Sequence, residues 1–294
     1  MCKFLSVPNL PEAPVTLAAV RLLPEIAAAL RSLGIQTVSP VPCPGLPEET
    51  AEHTDMLLCH AGGNVCFVAP GQTALAERLR EEGFSVRLSA APRAPYPGDI
   101  PLNVAVDCDF ALGLFAHTDA GLTDHLKETG RTLLPVRQGY AKCSLCFVTD
   151  NAFITEDPSI ADALERRGAA VLRISPGDVF LSERHNGFFG GASGKIAPDK
   201  LAVTGRLTRH RDGDRIRAFA ASHGVTIVEL TDGPILDIGG ILPLKQIGKQ
   251  FAISNVQCRK PFGLDFIIKY KHIIKPQHIL KHRSNTIDPA RIFT

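Results

Sequence analysis

The sequence predicts an α/β fold in which five similar units close into a ring, a fivefold pseudosymmetric α/β propeller with helices outside and a pocket on the central axis. Three observations support this prediction. A helical stretch, a glycine and a short apolar strand follow one another five times, and a further apolar strand precedes each helical stretch. Polar residues and glycines concentrate in the connectors between units. We expect the ring to cover residues 10–244.

Each predicted helix carries apolar residues at positions i, i+3, i+4 and i+7, which is typical of a helix with one buried face. The predicted helical stretches are residues 23–33, 72–82, 122–129, 161–167 and 216–223. A glycine follows each one, at a position suited to the left-handed conformation that ends many helices. These glycines are Gly34, Gly83, Gly130, Gly168 and Gly224.

Short β-branched and apolar runs flank each helix and predict strands. The strands predicted before the helices are 15–20, 65–69, 110–115, 152–155 and 201–204, and those after them are 35–38, 84–88, 131–136, 169–174 and 225–230. An ordinary doubly wound sheet also alternates strands and helices and remains an alternative. The recurrence of five matching units that end near Leu244 favours the closed ring, with units of ββαβ type.

Composition excludes several classes of protein. Apolar residues make up 45% and charged residues 21% of the 294 residues, as in ordinary globular proteins. No apolar run approaches the ~18–20 residues of a membrane span, and the N-terminus lacks the pattern of a secretory signal. The eight cysteines therefore suggest reduced thiols rather than a disulfide framework. We expect a cytoplasmic protein with no membrane or nucleic-acid partner.

The C-terminal 50 residues differ in character from the rest. Residues 245–294 hold ten Lys/Arg and two Asp, a net charge of +8, whereas residues 1–244 hold 22 basic and 28 acidic residues, a net of −6. One interpretation is a basic arm. The other is that residues 245–294 are not part of the fold, as after a frameshift or read-through near Leu244. We therefore expect a single domain over 1–244 and a dispensable extension over 245–294.

A fivefold ββαβ ring resembles the pentein, or guanidine-modifying enzyme, fold. More closely, the chain resembles a bacterial family of unknown function assigned to that fold. The residues that carry this resemblance are Tyr96-Pro97-Gly98-Asp99 with Asn103, Gln138-Gly139-Tyr140-Ala141-Lys142-Cys143-Ser144, Gly187-Phe188-Phe189-Gly190-Gly191-Ala192-Ser193-Gly194 and Asp237-Ile238-Gly239-Gly240. The resemblance covers about residues 10–244 and implies that the connectors line a central pocket.

Guanidine chemistry needs a thiolate that attacks the guanidinium carbon, carboxylates that hold its nitrogens, and a histidine that moves protons. The connectors offer Cys143 as nucleophile, His185 as acid and base, and Asp99 and Asp237 as holders. We expect a small guanidine-like ligand and no cofactor or metal. The predicted ligand-binding residues are Asn64, Asn103, Gln138, Tyr140, Ser144, Asn186 and Ser193.

The chain departs from the well-known enzymes of this fold, in which the nucleophilic cysteine follows the fifth unit. Here that connector holds Asp237-Ile238-Gly239-Gly240 and no cysteine. The resemblance therefore leaves two functions open: a Cys143-dependent guanidine or amidine hydrolase or transferase, and a binding protein without catalysis for a small ligand or a protein partner.

Two motifs have further readings. Cys143 and Cys146 form a CxxC pair, which would need further ligands such as Cys59, His60 or Cys66 to bind zinc, or a helix start to act in redox chemistry. The glycines of 190–195 resemble a phosphate-binding loop but lack its spacing, so a tight turn on the axis is the favoured interpretation.

Overall fold

A computed structural model describes residues 2–248, which form five small sheets. Four sheets have three strands each and one has four. The strands are β1 (Cys2–Phe4), β2 (Val15–Ala19), β3 (Gln36–Val38), β4 (Leu58–Gly62), β5 (Val65–Val68), β6 (Ser85–Leu88), β7 (Ala105–Val106), β8 (Phe110–Gly113), β9 (Thr132–Pro135), β10 (Cys146–Thr149), β11 (Ala152–Thr155), β12 (Ala170–Arg173), β13 (Ser193–Ala197), β14 (Lys200–Val203), β15 (Thr226–Glu229) and β16 (Leu242–Ile247).

One long helix belongs to each unit. The helices are α1 (Pro24–Ser32), α2 (Thr54–Leu57), α3 (Thr73–Glu81), α4 (Ala120–Glu128), α5 (Pro158–Glu165) and α6 (Gly213–Ser222), of which α2 is a single turn in a connector. Each long helix buries one apolar face, as Ile26, Ala27 and Leu30 do in α1. The predicted amphipathic helices are therefore confirmed, with ends within a few residues of those expected.

The five units share one topology. In the sheet β4-β5-β6, β4 and β5 form an antiparallel hairpin, and α3 then crosses over so that β6 pairs parallel to β5. The sheets β7-β8-β9, β10-β11-β12 and β13-β14-β15 repeat this order. The predicted ββαβ unit is thus confirmed.

Glycines end the five long helices as predicted. Gly34, Gly83, Gly130, Gly168 and Gly224 have φ angles of 78°, 89°, 82°, 80° and 72°. Residues with a side chain rarely adopt this left-handed backbone conformation. A glycine at this position therefore lets the chain reverse directly from each helix into the following strand.

The ring closes through its last strand. The first unit supplies only β2 and β3, and β16 takes the place of its missing hairpin strand by pairing antiparallel to β2. On its other side β16 pairs with β1, which matches Cys2 with Ile247 and Phe4 with Lys245. The first and last parts of the described chain therefore share one sheet.

This strand continues past the boundary that composition predicts at residue 244. Gln246 is fully buried, and its Oε1 accepts hydrogen bonds from the backbone N–H groups of Glu12 and Ala13 at 2.7 and 3.0 Å. Lys245 Nζ lies 2.7 Å from Glu82 Oε2. Residues 245–247 therefore belong to the fold, whereas the rest of the predicted extension, residues 249–294, lies outside the described residues.

None of the helices in residues 2–248 combines the length and the apolar character that crossing a membrane requires. The core consists of apolar side chains of the long helices, each packed between the sheet of its own unit and the sheet of the preceding unit. This arrangement leaves the connectors to meet at the axis.

Candidate functional site

Five connectors supply the side chains at one end of the axis: residues 39–57, 89–104, 136–145, 174–192 and 230–241. Four of them, all except 89–104, line a cavity of about 280 Å³. Its lining residues are Pro47, Glu49, Thr50, His53, Met56, Tyr140, Cys143, Leu181, His185, Asn186, Phe188 and Asp237. The predicted axial pocket is therefore present, and Tyr140, Cys143, His185, Asn186 and Asp237 are predicted site residues that line it.

Cys143 lies at the centre of the polar contacts. Its side chain donates to Asp55 Oδ2 across 2.8 Å, and Asn103 Nδ2 donates to Cys143 Sγ across 3.4 Å. The amide oxygen of Asn103 accepts from the backbone N–H of Lys142 at 2.7 Å, which fixes the orientation of the Asn103 side chain. Three connectors thus converge on one thiol.

His53 and Asp237 join the first and fifth connectors. His53 Nδ1 lies 3.7 Å from Asp237 Oδ1, and His53 Nε2 has no hydrogen-bond partner among residues 2–248. Asp237 is held by backbone donors as well, since Phe188 N–H donates to its Oδ2 at 2.8 Å and Gly239 N–H to its Oδ1 at 3.0 Å. Asp237 is therefore a rigid carboxylate in the cavity wall.

The fourth connector contains a glycine-rich segment, 187–192, whose backbone packs directly against this site and leaves no room for side chains at several positions. A side chain at Gly187 or Gly191 would overlap the Asp237 side chain, and one at Gly190 would overlap the backbone of Cys143 and Leu145. Gly190–Ala192 forms a buried 3-10 turn that leads into β13. The predicted tight turn on the axis is confirmed.

Asp99 occupies a different place from the one expected. Asp99 Oδ2 accepts a hydrogen bond from Tyr140 Oη at 2.7 Å, and Asp99 is not among the residues that line the cavity. Its role in this geometry is to orient Tyr140, whose ring lies 6.2 Å from that of Phe188.

His185 lies at the rim of the cavity. Its side chain is 60% exposed, and its Nδ1 lies 2.8 Å from Glu49 Oε1. The histidine that is buried near the thiol is His53, which is 1% exposed. His53 is not among the residues that the sequence predicted for the site. The signal available was its spacing of two residues from Asp55 beside a short helical turn.

Five predicted ligand-binding residues do not line the cavity. Asn64 is exposed in the turn between β4 and β5, and Gln138 bonds to Asp157 at the start of α5. Ser193 is buried and donates to the Phe189 carbonyl, while Ser144 is fully buried among core residues. Asn103 also lies behind the wall, but it contacts the cavity residue Cys143 directly.

A family model covers most of the ring. Residues 18–242 match a family of unknown function, DUF6873. The chain belongs to the DUF6873 family. Among curated proteins, none matches the sequence.

Solved structures identify the fold of this DUF6873 protein. The inosamine-phosphate amidinotransferase of Streptomyces griseus aligns with a TM-score of 0.55 at 13% identity, over 84% of this chain and 98% of that chain. The amidinotransferase SxtG of Microseira wollei gives 0.48 at 10% identity over 76% and 91%, and C. jejuni agmatine deiminase gives 0.47 at 11% over 79% and 90%. The DUF6873 protein has the pentein fold, as the sequence motifs predicted.

Burial controls the ionisation of the site in this DUF6873 protein. Burial raises the pKa of the Cys143 thiol well above its usual range, and the negative charges of Asp55 and Asp237 raise it further. Burial also raises the pKa of Asp55, although His53 and Lys142 partly oppose this shift. The Cys143–Asp55 pair therefore holds its proton on sulfur, with the negative charge on the carboxylate.

An unpartnered acceptor atom shows where the site lacks positive charge. Oδ1 of Asp55, which lies behind the Cys143 thiol, is buried and has no hydrogen-bond partner among residues 2–248. A buried acceptor without a partner costs about 1–3 kcal/mol. The site is therefore suited to a ligand that brings hydrogen-bond donors and positive charge.

The predicted zinc alternative built on the CxxC pair does not form within residues 2–248. Two groups there bring three possible metal ligands together, and neither includes Cys146, Cys59 or Cys66. One of these groups is His53, Asp55 and Cys143. Cys146 begins strand β10, so the redox alternative also lacks the helix start that such a motif uses.

Proposed function

We propose that this DUF6873 protein modifies a small guanidine or amidine compound, with Cys143 as the nucleophile. The observation that carries the proposal is the Cys143 thiol, which faces the cavity beside the Asp237 carboxylate while donating a 2.8 Å hydrogen bond to Asp55. A fold alone does not determine a reaction. The proposal therefore depends on these side chains.

The cavity favours a planar cation. Asp237 lies in its wall, Asp55 lies directly behind the thiol, and Glu49 lies at the rim. Among the described residues that line this cavity, none is a lysine or an arginine. A guanidinium or amidinium group carries several N–H donors and one positive charge, and carboxylates bind it through charge-assisted hydrogen bonds. The rings of Tyr140 and Phe188 provide faces on which such a group can stack.

The first chemical step moves a proton and forms a bond. When the cation enters, its charge stabilises the thiolate, and the Cys143 proton passes to Asp55, whose raised pKa suits it to accept one. Cys143 Sγ then bonds to the central carbon of the ligand. His53, held by Asp237, gives a proton to the departing amine as the C–N bond breaks.

The second step regenerates the thiol. Water or an acceptor amine adds to the carbon of the S-linked intermediate and loses a proton to His53. The C–S bond then breaks, and Cys143 regains the proton held by Asp55. Water as the second reactant makes the protein a hydrolase, and an amine makes it a transferase.

The second candidate is a binding protein that uses the same cavity without catalysis. The unpartnered Oδ1 of Asp55 and the Asp237 carboxylate in the cavity wall favour a cationic ligand in both cases. The departure of the cysteine position from that of well-known enzymes of the fold keeps this candidate open. The two functions differ in whether Cys143 reacts with a bound cation.

Paired alkylating reagents test the proposal. We expect chloroacetamidine, a cation, to modify Cys143 at least about tenfold faster than chloroacetamide, its neutral analogue, because a charged hydrogen-bonded contact contributes about 1.5–3 kcal/mol. Peptide mapping by mass spectrometry locates the adduct. The variant Cys146→Ser is the matched control, since Cys146 is buried in a strand, and it should retain the preference for the cation.

The variant Asp237→Asn should reduce the ratio of the two rates toward one. Comparing both reagents on the same variant separates loss of cation recognition from a general change in thiol access. Equal rates for the two reagents in the wild type would contradict the proposed function. Saturable protection by a guanidine without any adduct at Cys143 would support the binding protein.

A further inference from the structure

The cluster His53, Asp55 and Cys143 also has the composition of a metal site. One ligand atom from each residue lies within 4.8 Å of the other two. Thiolate, imidazole and carboxylate together are donors that Zn²⁺ uses, whereas Ca²⁺ and Mg²⁺ select oxygen donors. We infer that His53, Asp55 and Cys143 form a three-ligand site for a thiophilic divalent cation, with Zn²⁺ the best matched.

The charges of the donors support this inference. A Cys143 thiolate and an Asp55 carboxylate supply two negative charges, and a neutral His53 supplies none. A divalent cation therefore gives a site with no net charge, which favours binding in a buried place where an unbalanced charge would be costly. The remaining charges nearby are the Lys142 ammonium and the Asp237 carboxylate, which oppose one another.

Unpartnered atoms provide an independent observation. His53 and Asp55 are each 1% exposed, yet within the described part of the chain neither His53 Nε2 nor Asp55 Oδ1 has a hydrogen-bond partner. Buried polar atoms are nearly always satisfied, so two such atoms beside one thiol indicate a missing partner. A cation among the three side chains would satisfy both atoms.

The surrounding residues orient the donors as they do in known metal sites. His53 Nδ1 faces Asp237 Oδ1 at 3.7 Å, which directs Nε2 to the ligand position, as in carboxylate–histidine–zinc arrangements. Asn103 Nδ2 donates to Cys143 Sγ at 3.4 Å. These contacts position the two ligands before the metal arrives.

Metal binding requires only a small movement of the three ligand side chains. With metal–ligand bonds of about 2.0–2.3 Å, tetrahedral donors lie roughly 3.2–3.8 Å apart. Zn²⁺ binding releases the Cys143 proton to solvent and replaces the thiol–carboxylate hydrogen bond with two metal bonds. His53 and Cys143 line the cavity, so a fourth coordination position would face it.

Metal binding here does not depend on the proposed guanidine chemistry, but it would block that chemistry. The sulfur that attacks carbon is the sulfur that binds the metal. Zn²⁺ would therefore act as a reversible inhibitor of alkylation at Cys143 and of any reaction that starts there.

Cobalt substitution in the full-length protein tests the inference. After chelation and removal of the chelator, Co²⁺ should bind with a thiolate-to-metal charge-transfer absorption band, and Zn²⁺ should displace it. Cys143→Ser should abolish the band. Cys146→Ser and Cys258→Ser are matched controls that should retain it, and the histidines of the C-terminal extension are present in every variant.

Ligand variants give graded outcomes. His53→Gln and Asp55→Asn should each weaken Co²⁺ binding by tenfold or more, and Asp237→Asn should weaken binding while retaining the band. A band that persists in folded Cys143→Ser, or no band in the wild type at stoichiometric Co²⁺, would overturn the inference.

A second measurement avoids the variants. In wild-type protein, stoichiometric Zn²⁺ should protect Cys143 from chloroacetamide, and a chelator should restore its reactivity, as mapped by mass spectrometry. Unchanged labelling of Cys143 with Zn²⁺ present would also overturn the inference. Because the reagent is neutral, this result is independent of whether the metal-free protein prefers chloroacetamidine.

Discussion

The Asp55–Cys143 contact joins residues 88 positions apart and determines the state of the thiol. Burial and the neighbouring carboxylates raise the pKa of Cys143 and so keep the sulfur protonated at neutral pH. A resting thiol of this kind resists general oxidants and alkylating agents, since the thiolate is the reactive form. Selective reactivity then requires a ligand that brings positive charge.

Removing the Asp55 charge should therefore increase the basal reactivity of Cys143. Asp55 raises the pKa of this thiol through its charge and through its hydrogen bond, so Asp55→Asn should lower that pKa. The measurement is the pH dependence of alkylation by neutral chloroacetamide. We expect the rate to rise at lower pH in Asp55→Asn than in the wild type. A midpoint at the same or higher pH would show that Asp55 does not control the thiol.

Glu156 should make stability depend on pH. Burial raises its pKa from 4.5 to about 8, so the folded protein binds a proton that the unfolded chain releases between these values. Stability from this group is therefore complete below pH 4.5 and is lost as pH rises through 8. The variant Glu156→Gln should not show this loss. Between pH 5 and pH 8 the free energy of unfolding of the variant should therefore rise relative to that of the wild type, on the order of a few kcal/mol.

Thermal melts at a series of pH values check this. Asp107, whose pKa burial raises to about 7, acts in the same direction and is present in both proteins. The difference between wild type and Glu156→Gln thus isolates Glu156. A constant difference in Tm across this pH range would show that Glu156 ionises normally in the folded protein.

Strand β16 is the element on which ring closure depends. Its residues 245–247 pair with β1, and Gln246 satisfies two backbone donors in the segment before β2. The compositional change near 244 therefore does not mark the end of the fold. Composition is an average over many residues, whereas the end of β16 depends on the three residues 245–247. The charge pattern therefore could not locate the end of the fold.

Truncated proteins test whether the fold ends at Leu244, as composition predicts, or after β16. Ending the chain after Leu244 removes the β1 pairing and the Gln246 bonds, a loss of about 3 kcal/mol or more, which would lower the Tm by roughly 6–12 °C in a protein of this size. Ending it after Gly248 keeps these contacts, and we expect an unchanged Tm. Equal melting temperatures for both truncated proteins and the full chain would show that residues 245–247 are dispensable.

At the scale of the whole molecule, the sequence predicted the ring but only part of the site. Each helix, glycine and following strand is a local pattern of about twenty residues, and local patterns are readable from periodicity. The site joins residues of all five connectors, such as Asp55 and Asp237, whose proximity depends on how each irregular connector folds inward. Asn64 carries no local signal that distinguishes an exposed turn from a buried site.

The closed ring should unfold as one unit. Each unit shares core with its neighbours, and β16 joins the last unit to the first, so the described ring has no free end unit from which it could open. We expect the ratio of calorimetric to van't Hoff enthalpy for the protein truncated after Gly248 to be close to one. Two separate transitions would show that part of the ring melts independently.

The pairing of β16 with β1 and β2 also sets an order of events during synthesis. The strands β1 and β2 are synthesised before the rest of the ring, but their common partner β16 is among the last parts of the ring to be made. The sheet of the first unit can therefore be completed only after the other four units have been made. Asp237 precedes β16 by only a few residues, so the fifth connector is synthesised just before the ring can close. A nascent chain therefore has no complete site, and the Cys143 thiol gains its full set of neighbours only when the ring closes.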